Sequence, residues 1–137
     1  MLKKIITSLF CFAVSFAANA HSWPFSPAIQ VGDTLYLSGH MGFDYDTGIL
    51  VSGGIRPETE KTMLNIQKTL KDYGFTFAEL VKCTVLLTNM DDWIEMNAVY
   101  RSFFPDNRFP ARSAYGVSRL ALNGHVEIEC IAAKLKR

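Results

Sequence analysis

The chain predicts an α+β fold, a mixed β-sheet with two helices packed on one face. Three observations carry this expectation. Apolar residues make up 49% and charged residues 20% of the 137, enough for one domain with a real core. Short alternating runs read as strands, while two longer stretches place apolar side chains at helical spacing. The elements follow in the order β-β-α-β-α-β-β, strands grouped around two helices.

Residues 21–29 carry Pro24 and Pro27 and read as an extended arm. Gly32-Asp33 is a turn signal between two short apolar runs. The second run, Thr34-Leu35-Tyr36-Leu37-Ser38, is a strand that ends at Gly39. Residues 44–48 form a loop with its turn at Asp46-Thr47-Gly48, and Gly53-Gly54 marks another break. Residues 55–73 predict a helix. Pro57 suits its first turn, Met63, Ile66, Leu70 and Tyr73 form its apolar stripe, and Gly74 stops it. Over residues 81–87, Val81, Cys83, Val85 and Leu87 share one face of a strand. Asp91 or Asp92 can cap a second helix running to Phe104, whose stripe is Trp93, Met96, Asn97, Tyr100, Phe103 and Phe104. Pro105 ends it, and strands over residues 111–117 and 126–133 complete the chain.

The amino terminus predicts export. Lys3 and Lys4 precede an apolar run, and Ala18-Asn19-Ala20 is a small-x-small cleavage site. The run is too short to span a bilayer comfortably, since a span needs about 20 residues. The expected organisation is a signal peptide at 1–20, cut after Ala20, and one domain at 21–137, periplasmic or secreted and free of the membrane after cleavage. Cleavage lowers Lys+Arg from 14 to 12 against 13 acids, a net charge of −1 with His neutral. A nucleic-acid binder needs a cationic surface, which this composition does not offer. Cys83 and Cys130 remain. Both lie on apolar phases, which favours buried free thiols over a disulfide, and their spacing makes no zinc site. His21, His40 and His125 have no metal-ligand spacing; His21 and His125 read as surface or structural residues, and His40 can line a pocket.

Three features sit oddly in their elements. Arg112 lies inside a strand-like run that Phe109-Pro110-Ala111 delivers extended; its planar fork suits a carboxylate, and it equally suits a salt bridge or a solvated edge. Glu127 and Glu129 share a strand face, either as solvated carboxylates or as groups that handle protons near an apolar wall. Asn97 interrupts an apolar helical stripe, to satisfy a backbone group or to face a ligand. No Gly-rich phosphate loop and no serine or cysteine nucleophile pattern is present.

Pro110-Ala111-Arg112-Ser113, followed by Val126-Glu127-Ile128-Glu129, resembles the signature of the RidA/YjgF family, also described as endoribonuclease L-PSP or translation inhibitor. Pro24-Phe25-Ser26-Pro27-Ala28, Leu37-Ser38-Gly39, Val81-Lys82-Cys83-Thr84-Val85, Met96-Asn97-Ala98-Val99-Tyr100 and Phe103-Phe104-Pro105 extend the likeness over nearly all of the mature chain. The resemblance implies a chorismate-mutase-like fold assembling as a homotrimer with clefts between subunits. It implies hydrolysis of 2-imino acids, formed from enamines such as 2-aminoacrylate, to 2-keto acids and ammonia, without metal or organic cofactor. By resemblance, Arg112 pairs with the substrate carboxylate and Glu127 orients the attacking water. Phe25, Ser38, Gly39, Asn97 and Ala114 match positions around the cleft. Phe25 stands where tyrosine is usual, His40 where glutamine is, Ala114 where cysteine or another small residue sits, and Gly116 where glutamate is frequent. A carboxylate-binding module of the same fold is the alternative implied function.

Overall fold

The computed structural model describes residues 23–134. The export signal expected at 1–20 lies outside the described residues. Strands β1 (Ala28–Val31), β2 (Thr34–Leu37), β5 (Leu80–Leu87), β6 (Ala111–Gly116) and β7 (Val126–Ala133) form one sheet in the order β1-β2-β7-β5-β6. The loop expected at 44–48 is the tip of a two-stranded ribbon, β3 (Phe43–Asp44) with β4 (Ile49–Leu50). Helices α1 (Ile55–Asp72) and α2 (Trp93–Ser102) match the two periodic stretches. The β5–β6 pairing is parallel, as a crossover through α2 requires, and the other pairings in this sheet are antiparallel.

Alternation along the strands divides the sheet into two faces. Leu35, Leu37, Val85, Leu87, Val126, Ile128 and Ala132 are buried toward the helices, where Met63, Ile66, Leu70, Met96 and Tyr100 meet them. Val126, Ile128 and Cys130 are buried while Glu127 and Glu129 point to the other face, as the period of two demands. Among the described residues that second face carries no helix, and Ile29, Val31, Tyr36 and Tyr115 are exposed on it.

Several sequence expectations are corrected. Cys83 and Cys130 are not free thiols. They are direct partners across β5 and β7, with Cα atoms 4.1 Å apart, and they form a disulfide. Strand register brought them together, and spacing in the chain does not encode register. Neither Asp91 nor Asp92 caps α2 through its side chain; Asn89 caps the preceding turn by accepting from the Asp91 N–H. Trp93, placed in the apolar stripe as the first residue of α2, is 41% exposed, while Met96 and Tyr100 further along are buried.

Two buried polar groups fasten the ends of β7 and its neighbour. Glu58, 2% exposed on α1, accepts from the backbone N–H groups of His125 and Val126 and from His125 Nδ1. One carboxylate thus holds the start of β7, which a polar interior group must do to remain satisfied. On the other side, the His40 backbone exchanges two hydrogen bonds with Ile128, at 2.8 and 2.9 Å. This isolated bridge lays residues 38–40 alongside β7, next to Glu127.

Candidate active site

Arg112 sits on β6, the edge strand, opposite Cys83 of β5. Its side chain therefore points to the helix-covered face. The guanidinium lies 4.8 Å from the centroid of the Tyr100 ring on α2. Such stacking fixes the plane of the fork without consuming its donors. Among the described residues no carboxylate pairs with Arg112. Among the described residues, the salt-bridge reading left open by the sequence is not realised. Tyr100 is 3% exposed, and burial pushes its hydroxyl up to about 12 against the opposing pull of the Arg112 charge. Arg112, Tyr100, Asn97, Trp93, Arg101 and Phe109 line one cavity of about 480 Å³. Asn97 is therefore brought to Arg112.

Glu127 lies in a different cavity. It pairs with Leu86 of β5, three residues beyond Cys83, so alternation turns it to the sheet face opposite Arg112. The strands of Arg112 and Glu127 are separated by β5. Burial first, and the negative charge of Glu129 second, raise the Glu127 carboxyl above the ordinary carboxylate value. The Glu127 cavity, about 230 Å³, is lined by Gly39, His40, Phe25, Trp23 and Tyr45 among others. An adjoining recess of about 290 Å³ adds Ser38 and Pro27.

The backbone of residue 39 explains why glycine stands there. A Cβ at this position would overlap the Glu127 carboxylate, so only glycine lets the carboxylate lie against the 38–40 segment. Ser38 fastens the arm: its hydroxyl donates to Ser26 O at 2.7 Å, and its N–H to Pro27 O at 3.0 Å. His40 is 6% exposed; its Nδ1–H donates to Ser38 O, so Nε2 accepts from the Thr69 hydroxyl. Burial lowers its pKa, and the hydrogen bond it donates to Ser38 O only partly offsets this. The histidine is a neutral brace for the segment facing Glu127 rather than an acid–base group in the cavity.

The expected site residues thus fall into two sets. Arg112 and Asn97 form one, and Glu127, Phe25, Ser38 and Gly39 form the other. Ala114 joins neither; it is half-buried against the core. Sequence reasoning missed Trp93 as a wall of the Arg112 cavity, and Trp23 and Tyr45 beside Glu127. The close spacing of Trp23 with Phe25, and of Phe43 with Tyr45, was the available signal. Among the described residues, no three His, Cys, Asp or Glu side chains gather as metal ligands.

Comparison with known proteins agrees with this architecture. The profile of the family described as Endoribonuclease L-PSP matches residues 16–134. A bovine 2-iminobutanoate/2-iminopropanoate deaminase is 43% identical over 134 residues, covering 98% of this chain and 92% of the relative. The human protein of that name is 41% identical over 109 residues, 80% of this chain and 79% of its own. The crystal structure of RidA from an Antarctic Psychrobacter superposes with a TM-score of 0.79 at 34% identity, over 85% of this chain and 94% of that one. A Rid-family protein from Yersinia pestis gives the same TM-score at 38% identity, over 81% and 88%. With the profile spanning most of its length, the chain belongs to the endoribonuclease L-PSP family, the RidA/YjgF group whose motifs it carries.

Proposed function

We propose that this protein hydrolyses 2-imino acids to 2-keto acids and ammonia, in an exported homotrimer whose sites form between subunits. The observation that carries the chemistry is Arg112, stacked on Tyr100 at a cavity and without a carboxylate partner among the described residues. An unpaired arginine fork at a cavity is suited to a substrate carboxylate. The curated names of the bovine and human relatives support the same reaction.

The steps follow from the residue types. Arg112 holds the carboxylate, which places the electrophilic C2 of the imine. Glu127 accepts a proton from a water whose oxygen bonds to C2, and that proton passes to the imine nitrogen. The second water hydrogen moves to nitrogen as the C–N bond breaks. Ammonia leaves and the water oxygen remains as the ketone. A carboxylate with a raised pKa suits this return of a proton. Because the imine carbon is already electrophilic, positioning and one proton relay suffice.

Geometry supports assembly. Arg112 and Glu127 face opposite sides of the sheet, so one chain cannot bring both to one substrate. The uncovered sheet face, with Ile29, Val31, Tyr36 and Tyr115 exposed, is the kind of apolar patch that marks an interface. A second subunit packed there can bring its Arg112 to this Glu127. Export is supported by the basic-apolar-small pattern of residues 1–20 and by the Cys83–Cys130 disulfide, which persists in oxidising compartments.

The test is hydrolysis of 2-iminopropanoate generated in place, read as pyruvate and ammonia, with the native protein and Arg112→Ala. Acceleration by the native protein and a loss of about 100-fold in the variant support the reading. No acceleration by the native protein overturns it in favour of ligand binding. Light scattering checks the trimer, and the amino-terminal sequence of protein recovered outside the cytoplasm checks cleavage after Ala20.

A further inference from the structure

We propose that the Glu127 cavity is a side-chain subsite that selects 2-imino acids bearing a large apolar or aromatic side chain over those bearing a methyl group. This rests on the deaminase reading and names the substrate class of that same site.

Four aromatic rings form a connected wall beside Glu127. Trp23 stacks on Phe25 with centroids 5.9 Å apart. Trp23 meets Phe43 edge-on at 5.8 Å, and Phe43 meets Tyr45 edge-on at 5.1 Å. Phe43 is 7% exposed and anchors the set, while Trp23, Phe25 and Tyr45 are partly exposed and line the cavity. Rings in such stacked and edge-on contacts keep their geometry and offer faces and edges to one more ring.

The opposite wall points the same way independently. Leu122 lines the cavity, is 52% exposed, and has φ of +56°. A bulky residue in left-handed backbone is uncommon and needs support from its surroundings. Here that backbone presents a leucine to the cavity. Met41 and Ala121 extend this apolar lining.

Charge decides which end of the substrate enters. Among the described residues no lysine or arginine lines this cavity, and the acid that lines it is Glu127. A substrate carboxylate is repelled here and is attracted to Arg112 in the other cavity. What remains to occupy the aromatic cavity is the side chain carried on C2. At about 230 Å³ it has room for a ring, since an apolar cavity of about 150 Å³ already holds benzene. A methyl group leaves most of that wall without a contact.

The experiment compares kcat/KM for 2-imino-3-phenylpropanoate and 2-iminopropanoate, each generated in place by an amino-acid oxidase, with surviving imine trapped by semicarbazide. The phenyl substrate is expected to win by about tenfold or more. Trp23→Ala and Tyr45→Ala remove exposed rings and should bring the ratio toward one. A native ratio of one or below overturns the subsite and leaves the deaminase reading standing. So does a ratio unchanged in both variants, or a Trp23→Ala protein that becomes monomeric, since its ring then belongs to an interface. A second measurement separates the two readings: affinity for the stable products phenylpyruvate and pyruvate. If neither imine is hydrolysed, the deaminase reading fails. Tighter phenylpyruvate binding that disappears in Trp23→Ala then still supports the subsite, and equal or absent binding overturns it.

Discussion

Subunits that are each inactive should restore activity to one another. Arg112 pairs with Cys83 and Glu127 with Leu86, two strands and three residues apart. With strands about 4.8 Å apart and a rise of about 3.3 Å per residue, their Cα atoms lie roughly 14 Å apart. The side chains also leave opposite faces, so neither can bend through the sheet to the other. An Arg112→Ala subunit keeps its Glu127, and a Glu127→Gln subunit keeps its Arg112. Unfolding the two variants together in equal amounts and refolding them gives mixed trimers if the proposed homotrimer forms. Each site takes one group from each neighbour, so about one quarter of the sites are intact in a cyclic assembly. Pyruvate release should therefore recover to about a quarter of the native rate, against a residual of about one hundredth for Arg112→Ala alone. Variants mixed while folded should stay inactive until subunits exchange. Recovery no greater than the sum of the separate variants would refute the shared site.

Three further outcomes follow from particular contacts. Gly39→Ala pushes the Glu127 carboxylate aside, and the displaced atoms are the end of a flexible side chain. Its melting midpoint should hold within about 1 kcal/mol of native stability while kcat/KM falls tenfold or more; equal activity would show the carboxylate is not needed there. Glu129 is the second cause raising the Glu127 carboxyl above the ordinary 4.5, so Glu129→Gln should lower that pKa. Because the ionised form accepts the proton, the acid limb of the kcat/KM profile should move to lower pH; an unmoved limb contradicts the base role. The disulfide closes a loop between residues 47 apart, which in the chain-entropy account stabilises by about 4 kcal/mol. Urea unfolding of Cys83→Ala/Cys130→Ala should show a large part of that loss, and an unchanged midpoint would mean the bond does not constrain the unfolded chain.

Periodicity was enough for the two helices and the strands of the main sheet, though not for the β3–β4 ribbon. Met63, Ile66 and Leu70 repeat at helical spacing, and Val126, Ile128 and Cys130 alternate with Glu127 and Glu129, because a helix or strand buries one face at a fixed interval. The residue types at Arg112, Asn97, Glu127 and Gly39 were legible too, since arginine, carboxylate and glycine stand out against their apolar neighbours. Spatial grouping was not. Whether Cys83 meets Cys130 depends on the register of β5 and β7, which no local pattern records. Whether Arg112 and Glu127 share a cavity depends on their strand neighbours and on the face each turns to, and the sheet order placed them apart. Trp23 and Tyr45 read as an arm and a loop until the ribbon brought Phe43 between them. One-dimensional patterns determine which residues each element buries; only tertiary pairing, which joins positions far apart in the chain, decides which of the remaining side chains face one another.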